Sequence, residues 1–129
     1  MDTGNPKMIR VLIVDDLQPF RQTARAVVEM TPGFAVAGEA ETGEASIEEA
    51  RRLDPDLVLM DVNLPGISGL EATRKILEES DRVVILVLST YEAAEYAPRA
   101  AEYGAAGYIS KSDFDPDTLE ATWQAAVGS

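Results

Sequence analysis

The sequence predicts one α/β domain. Its core is a doubly wound, five-stranded parallel sheet of order 2-1-3-4-5, with five helices covering both faces. Three observations carry this prediction. Short apolar runs recur at nearly constant spacing along 129 residues. The intervals between them have helical periodicity. The length suits one compact domain of the common ~100–150-residue size, able to hide roughly two-thirds of its unfolded surface.

The first run, Met8 to Val14 (MIRVLIV), is followed by a stripe of Phe20, Ala24, Val27 and Val28 on one helical face. The second, Phe34 to Gly38 (FAVAG), precedes a stripe of Ile47, Ala50 and Leu53. The third, Leu57 to Met60 (LVLM), precedes Leu70, Thr73, Ile76 and Leu77. The fourth is Val83 to Leu88 (VVILVL). It leads into YEAAEYAPRAAEYGAAG, where Pro98 falls at a place a continuous helix would cross. Proline is tolerated in a first turn and costs ~3 kcal/mol or more inside a helix. The fourth helix is therefore expected to start or kink near Pro98, leaving 91–97 irregular. Tyr96 and Tyr103 there read as filler or as interaction anchors. The fifth run, Gly107 to Ile109, precedes Leu119, Trp123 and Val127, a stripe expected to pack on the sheet.

Each run is rich in β-branched or aliphatic residues and bounded by Asp, Gly, Pro or Ser, which marks strands. The runs at Met8, Leu57 and Val83 are the most uniformly apolar, so they belong at the centre, with the Phe34 and Tyr108 runs at the edges. Right-handed crossovers then give the stated order. Residues 1–7 read as a disordered leader and 8–127 as the domain, with no output domain in this chain.

Composition removes several functions. With 11 basic and 23 acidic residues the net charge is −12, which disfavours contact with a nucleic-acid backbone. There is no cysteine for disulfides, thiol catalysis or cysteine-ligated zinc, and no histidine to serve as general base. No apolar run approaches the ~20 residues of a membrane span, and the start MDTGNPK is not a signal peptide. These features fit a cytoplasmic protein.

In an open parallel sheet, ligands bind beyond the carboxyl ends of the strands. The first strand delivers Asp15 and Asp16 there, the third Asp61, the fourth Ser89 and Thr90, and the fifth Lys111. Two carboxylates ~4–5 Å apart repel by roughly 3–4 kcal/mol at an effective dielectric near 20. Three together call for a cation or a raised pKa. With oxygen ligands only, Mg²⁺ is the natural ion. A carboxylate beside Mg²⁺ and an ammonium suits phosphoryl transfer, with the carboxylate itself as nucleophile. Taken singly, Asp16 could cap a helix, Asp61 and Ser89 could be turn residues, and Lys111 could be a solvated lysine. Their joint placement at four strand ends outweighs those separate readings.

LIVDD at 12–16, MDVNLPGISGLE at 60–71, LST at 88–90 and GYISK at 107–111 resemble the response-regulator receiver domain, a flavodoxin-like fold, over about residues 8–127. The likeness is greatest to the subgroup with C-terminal helix-turn-helix output domains. The resemblance implies Asp61 as phosphoacceptor from a sensor histidine kinase. It also implies Mg²⁺ on Asp15, Asp16, Asp61 and the backbone carbonyl of Asn63. Ser89 and Lys111 would hold phosphate oxygens, backbone groups of Asn63 and Thr90 would lie against the phosphate, and Tyr108 would turn inward as Ser89 moves. Homodimerisation on phosphorylation is implied, and transcription control through an output domain. Where the family commonly has proline after the lysine, this chain has Ser112, for which a cis bond would cost ~3–4 kcal/mol.

Tyr91, two residues after Ser89, is expected to shield an acyl phosphate from water. Two alternatives compete: a receiver-like scaffold that binds partners without phosphorylation, and an aspartate-nucleophile phosphatase. The second requires a D-x-D-x-T-type motif after the first strand, where Asp15-Asp16-Leu17-Gln18-Pro19 stands instead.

Overall fold

The structure is a computed structural model that describes residues 7–91 and 93–128. Residues 1–6 of the expected leader, and Glu92, lie outside them. Five strands alternate with five α-helices: β1 (Ile9–Val14), α1 (Gln18–Met30), β2 (Phe34–Ala40), α2 (Gly43–Leu53), β3 (Leu57–Met60), α3 (Gly69–Glu79), β4 (Val84–Ser89), α4 (Ala93–Glu102), β5 (Gly107–Ser110) and α5 (Pro116–Val127). The sheet has the order β2-β1-β3-β4-β5 and every pairing is parallel, as the apolar pattern predicts.

Alternation along the strands sorts the core into layers. Val11 and Ile13 of β1, with Leu57, Leu59, Leu86, Leu88 and Ile109, face α1 and α5 and pack on Ala24, Val28 and Leu119. Leu12 and Val14, with Val58, Met60 and Ile85, face the other way, onto Ala72 and Ile76 of α3 and the half-buried Ile47 and Leu53 of α2. A third cluster joins Val87 to Val62, Leu70, Ala100 and Ala105 beneath α4. Strands buried on both faces explain why β1, β3 and β4 lack polar alternation.

Capping sets the helix starts. Thr42 accepts the Ala45 N–H for α2 and Ser68 the Glu71 N–H for α3, while Asp115 accepts the Thr118 N–H ahead of Pro116 for α5. None of the helices among the described residues is long and apolar enough to cross a membrane.

Two expectations need correction. α4 begins at Ala93 and carries Pro98 inside it, so 93–97 are helical. Pro98 deletes a single bond, to the Ala94 carbonyl, and the alanines at 93, 94, 97, 100 and 101 have the best helix propensity to offset it. Val127 is not core but 45% exposed. An i, i+4, i+8 stripe drifts by ~40° per step on a 3.6-residue helix, so Ala126, seven residues after Leu119, takes the inward place. Trp123, between them, packs edge-on against Phe34 at 6.0 Å.

Candidate functional site: an acidic pocket at the strand ends

β1 ends in the buried Asp15, whose N–H bonds the Ala40 carbonyl of β2 at 3.1 Å. Asp16 follows, exposed. Asp16 does not cap α1: the N-cap is Leu17, which has no side-chain cap, and Asp15 Oδ1 instead accepts the Leu17 N–H at 2.9 Å. The Asp16 carboxylate is thereby spared for the pocket. Beyond β3, Asp61 is 5% exposed. Its N–H bonds the Val14 carbonyl at 3.0 Å, and its Oδ1 accepts the Val62 N–H at 2.8 Å. Oxygens of Asp15, Asp16 and Asp61 all lie within 4.8 Å of one another.

Glycine makes this approach possible. A Cβ on Gly69 would sit 1.8 Å from the Asp61 carbonyl oxygen, so only glycine lets α3 start against the loop after β3. Gly66 turns that loop at φ +78°, beside the Glu44 carboxylate, which accepts the Ile67 N–H at 3.2 Å.

Lys111, directly after β5, reaches the carboxylates. Its Nζ lies 2.6 Å from Asp15 Oδ2 and 3.7 Å from Asp61 Oδ2, over the Phe20 ring at 4.3 Å from the centroid. One ammonium among three carboxylates leaves excess negative charge. Burial first, and the Asp15 charge second, push the Asp61 carboxyl up to about 6, against the opposing pull of Lys111. Lys111 opens a short 3₁₀ turn, Lys111–Asp113, and every peptide bond among the described residues is trans, Lys111–Ser112 included.

The pocket fits a hard cation. Its donors are oxygens only, and oxygens sharing an octahedral Mg²⁺ lie roughly 3–4 Å apart, close to what the cluster already has. Asp15 Oδ2 is buried and makes no well-aligned hydrogen bond among the described residues, with Lys111 as its charge partner. A buried carboxylate oxygen with one charge partner and no aligned hydrogen bond keeps lone-pair capacity that a hard cation could use.

The other expected residues form a second group beside the first. Ser89 is buried, and its Oγ accepts the Tyr91 N–H at 3.3 Å. The Tyr91 hydroxyl meets the Asn63 side-chain amide at 3.0 Å, and its ring stacks on Tyr96 with centroids 4.8 Å apart. The Tyr108 hydroxyl donates to the Tyr91 carbonyl at 2.6 Å. Tyr91 thus bridges the loops after β3 and β4. Thr90 is exposed at the same rim.

Sequence reasoning missed Arg21. It is buried, donating from Nη1 to the Asp15 carbonyl at 2.7 Å and from Nε to Glu39 Oε1 at 3.0 Å. The available signal was a cation spaced i, i+3, i+7 with Ala24 and Val28, on the apolar face of α1.

Comparison with known proteins agrees with this geometry. Residues 11–124 match the family model described as the response regulator receiver domain. The nitrate/nitrite response regulator protein NarL of Escherichia coli (strain K12) is 40% identical over 127 residues, 97% of this chain and 58% of NarL. The response regulator GacA of Pseudomonas viridiflava is 43% identical over 104 residues, 81% of this chain and 49% of its own length. This chain therefore spans about half the length of the curated relatives it matches. Among solved structures, a two-component response regulator of the LuxR family from Aurantimonas sp. SI85-9A1 has a TM-score of 0.85 at 35% identity, covering 95% of this chain and 87% of that one. The response regulator domain of Thermotoga maritima CheB gives 0.82 at 29% identity, covering 93% and 97%.

Proposed function

The chain belongs to the response regulator receiver family of two-component systems, and from that premise we propose that Asp61 is its phosphoacceptor. It takes a phosphoryl group from a phosphohistidine of a sensor histidine kinase. Mg²⁺ is held by Asp15, Asp16, Asp61 and the Asn63 carbonyl. The observation that carries this reading is the buried Asp61 in a three-carboxylate cluster within reach of one lysine.

In the transfer, an Asp61 oxygen forms the new O–P bond as the N–P bond to the imidazole breaks, and the nitrogen keeps the bonding pair. The Val62 N–H occupies Oδ1, which leaves Oδ2, on the Lys111 side, to attack. The bound metal would supply charge neutralisation for the phosphoryl oxygens. Lys111 pairs with one of those oxygens, Ser89 donates its hydroxyl to another, and backbone groups of Asn63 and Thr90 line the phosphate.

The switch follows from what Ser89 and Tyr108 must give up. Phosphorylation adds a nearly dianionic group with three acceptor oxygens. Ser89 moving toward it loosens its contact with the Tyr91 N–H. Tyr108 turning inward breaks its bond to the Tyr91 carbonyl. Both changes converge on the start of α4, whose surface, with β5, is then presented differently. Tyr91, spanning from Asn63 to Tyr96, shields the acyl phosphate from water.

One relative, 36% identical over 115 residues, is a transcriptional regulatory protein, which supports transcription control through a domain beyond these residues as the output of the whole protein, with homodimerisation on phosphorylation and a cytoplasmic setting. With a net charge of −12, this segment itself makes no nucleic-acid contact.

Intact-protein mass after incubation with Mg²⁺ and acetyl phosphate tests the reading. The wild type gains one phosphoryl group, and neither an EDTA-treated sample nor Asp61→Asn does. No gain from acetyl phosphate or from a phosphorylated kinase, with Mg²⁺ bound, refutes it.

A further inference from the structure

Arg21 stands where a cation is disfavoured three times over. It is only 9% exposed, it lies in the first turn of α1 where the helix dipole repels positive charge, and its neighbours on that face are Ala24 and Val28. Packing alone would be served as well by an apolar side chain of similar volume. What the guanidinium adds is a fork. Nη1 donates to the Asp15 carbonyl at 2.7 Å while Nε donates to Glu39 Oε1 at 3.0 Å.

Glu39 is itself fixed. It pairs across the sheet with Ile13, and its Oε2 accepts from Arg25 Nη2 at 2.7 Å and Nε at 3.1 Å. Arg25 holds the Glu39 carboxyl below its usual range, so Glu39 stays charged. A continuous chain of charge-assisted bonds therefore runs from the α1 surface, through the β2 edge, to the peptide that joins Asp15 to Asp16. Asp15 already has its N–H on Ala40 and its Oδ1 on Leu17. Its carbonyl sets the direction in which the chain leaves β1.

We propose that Arg21 is a positioning residue for the metal site: by holding the Asp15 carbonyl it fixes the Asp15–Asp16 peptide, and so the direction in which Asp16 presents its carboxylate to Mg²⁺. This rests on reading the carboxylate cluster as a Mg²⁺ site. Glu39 and Arg25 act through Arg21 and touch none of the ligands.

The test is Mg²⁺ titration calorimetry on the whole chain, with thermal melts in EDTA alongside and with Arg21→Gln, Arg21→Lys and Glu39→Gln as variants. Arg21→Gln weakens Mg²⁺ binding about tenfold, the size of effect seen when the partner of a metal ligand is removed. Arg21→Lys restores the charge but not the two-pronged geometry, so it stays weakened too. Glu39→Gln, the reserve should the Arg21 variants not fold, loses affinity in the same direction by a smaller factor. Wild-type affinity in folded Arg21 variants, with only the melting temperature lowered, overturns the proposal in favour of a purely structural arginine. Full recovery in Arg21→Lys overturns it in favour of charge alone. If Arg21 variants do not fold, wild-type affinity in Glu39→Gln overturns it. A wild type that binds no Mg²⁺ instead defeats the metal-site reading beneath it.

Discussion

Replacing Asp61 by Asn in metal-free protein is expected to make the domain more stable at neutral pH, and the size of the gain follows from the pocket. Burial and the Asp15 charge raise the Asp61 carboxyl to about 6, from an ordinary value near 4. Each unit corresponds to ~1.4 kcal/mol, so about two units set an upper limit of ~3 kcal/mol on the cost of ionising it in the fold. The pocket opens to water beside the exposed Asp16, and screening there reduces the figure to ~1–2 kcal/mol. The sign follows from linkage: a carboxyl with a raised folded-state pKa carries no penalty below its unfolded pKa. It carries the full penalty above the folded one. Wild-type stability in EDTA should therefore fall between pH ~4 and ~6 by this amount relative to Asp61→Asn. Urea denaturation of both proteins at pH 4 and pH 7.5 measures it, and Mg²⁺ at pH 7.5 should shrink the difference by stabilising the wild type. An Asn variant no more stable than wild type at pH 7.5 in EDTA would refute the argument that Asp61 is an electrostatically strained, metal-dependent group.

Other expectations follow from single contacts. Gly69→Ala drives a methyl into the Asp61 carbonyl and should cost ~3 kcal/mol or more, seen as a lowered urea midpoint with weakened Mg²⁺ binding. Tyr91→Ala should speed loss of the phosphoryl group several-fold, whereas Tyr91→Phe, which keeps the ring stacked on Tyr96 and loses only the Asn63 bond, should speed it less; intact-mass time courses decide. Leu119→Ala empties a fully buried site between α5 and the sheet and should cost ~2–5 kcal/mol in denaturation without changing Mg²⁺ affinity.

The sheet order and the acidic pocket were both readable from the chain, and for the same reason. Strands buried on two faces are written as unbroken apolar runs, so the first polar residue after each run marks the rim. Asp15, Asp61 and Ser89 stand at that punctuation, and Lys111 stands one residue past it, after Ser110. Asp16 was placed in the pocket from the sequence by its position beside Asp15, and the structure adds that Leu17, not Asp16, takes the N-cap of α1. The start of α4 was misread because a proline rule that is local met five alanines whose summed propensity, with the burial of Ala100, outweighs one missing bond. Val127 was misplaced by treating a four-residue spacing as a straight stripe. Arg21 escaped because its partners, the Asp15 carbonyl and Glu39, come from β1 and β2. No periodicity along α1 reveals a backbone acceptor on another element.

The most direct test of the central claim is to locate the phosphoryl group. Borohydride reduction of the phosphorylated protein converts an aspartyl phosphate to homoserine, which peptide mass mapping then assigns. The account predicts homoserine at position 61 alone, formed only when Mg²⁺ was present during phosphorylation. Homoserine at Asp15 or Asp16, or at position 61 regardless of Mg²⁺, would contradict it.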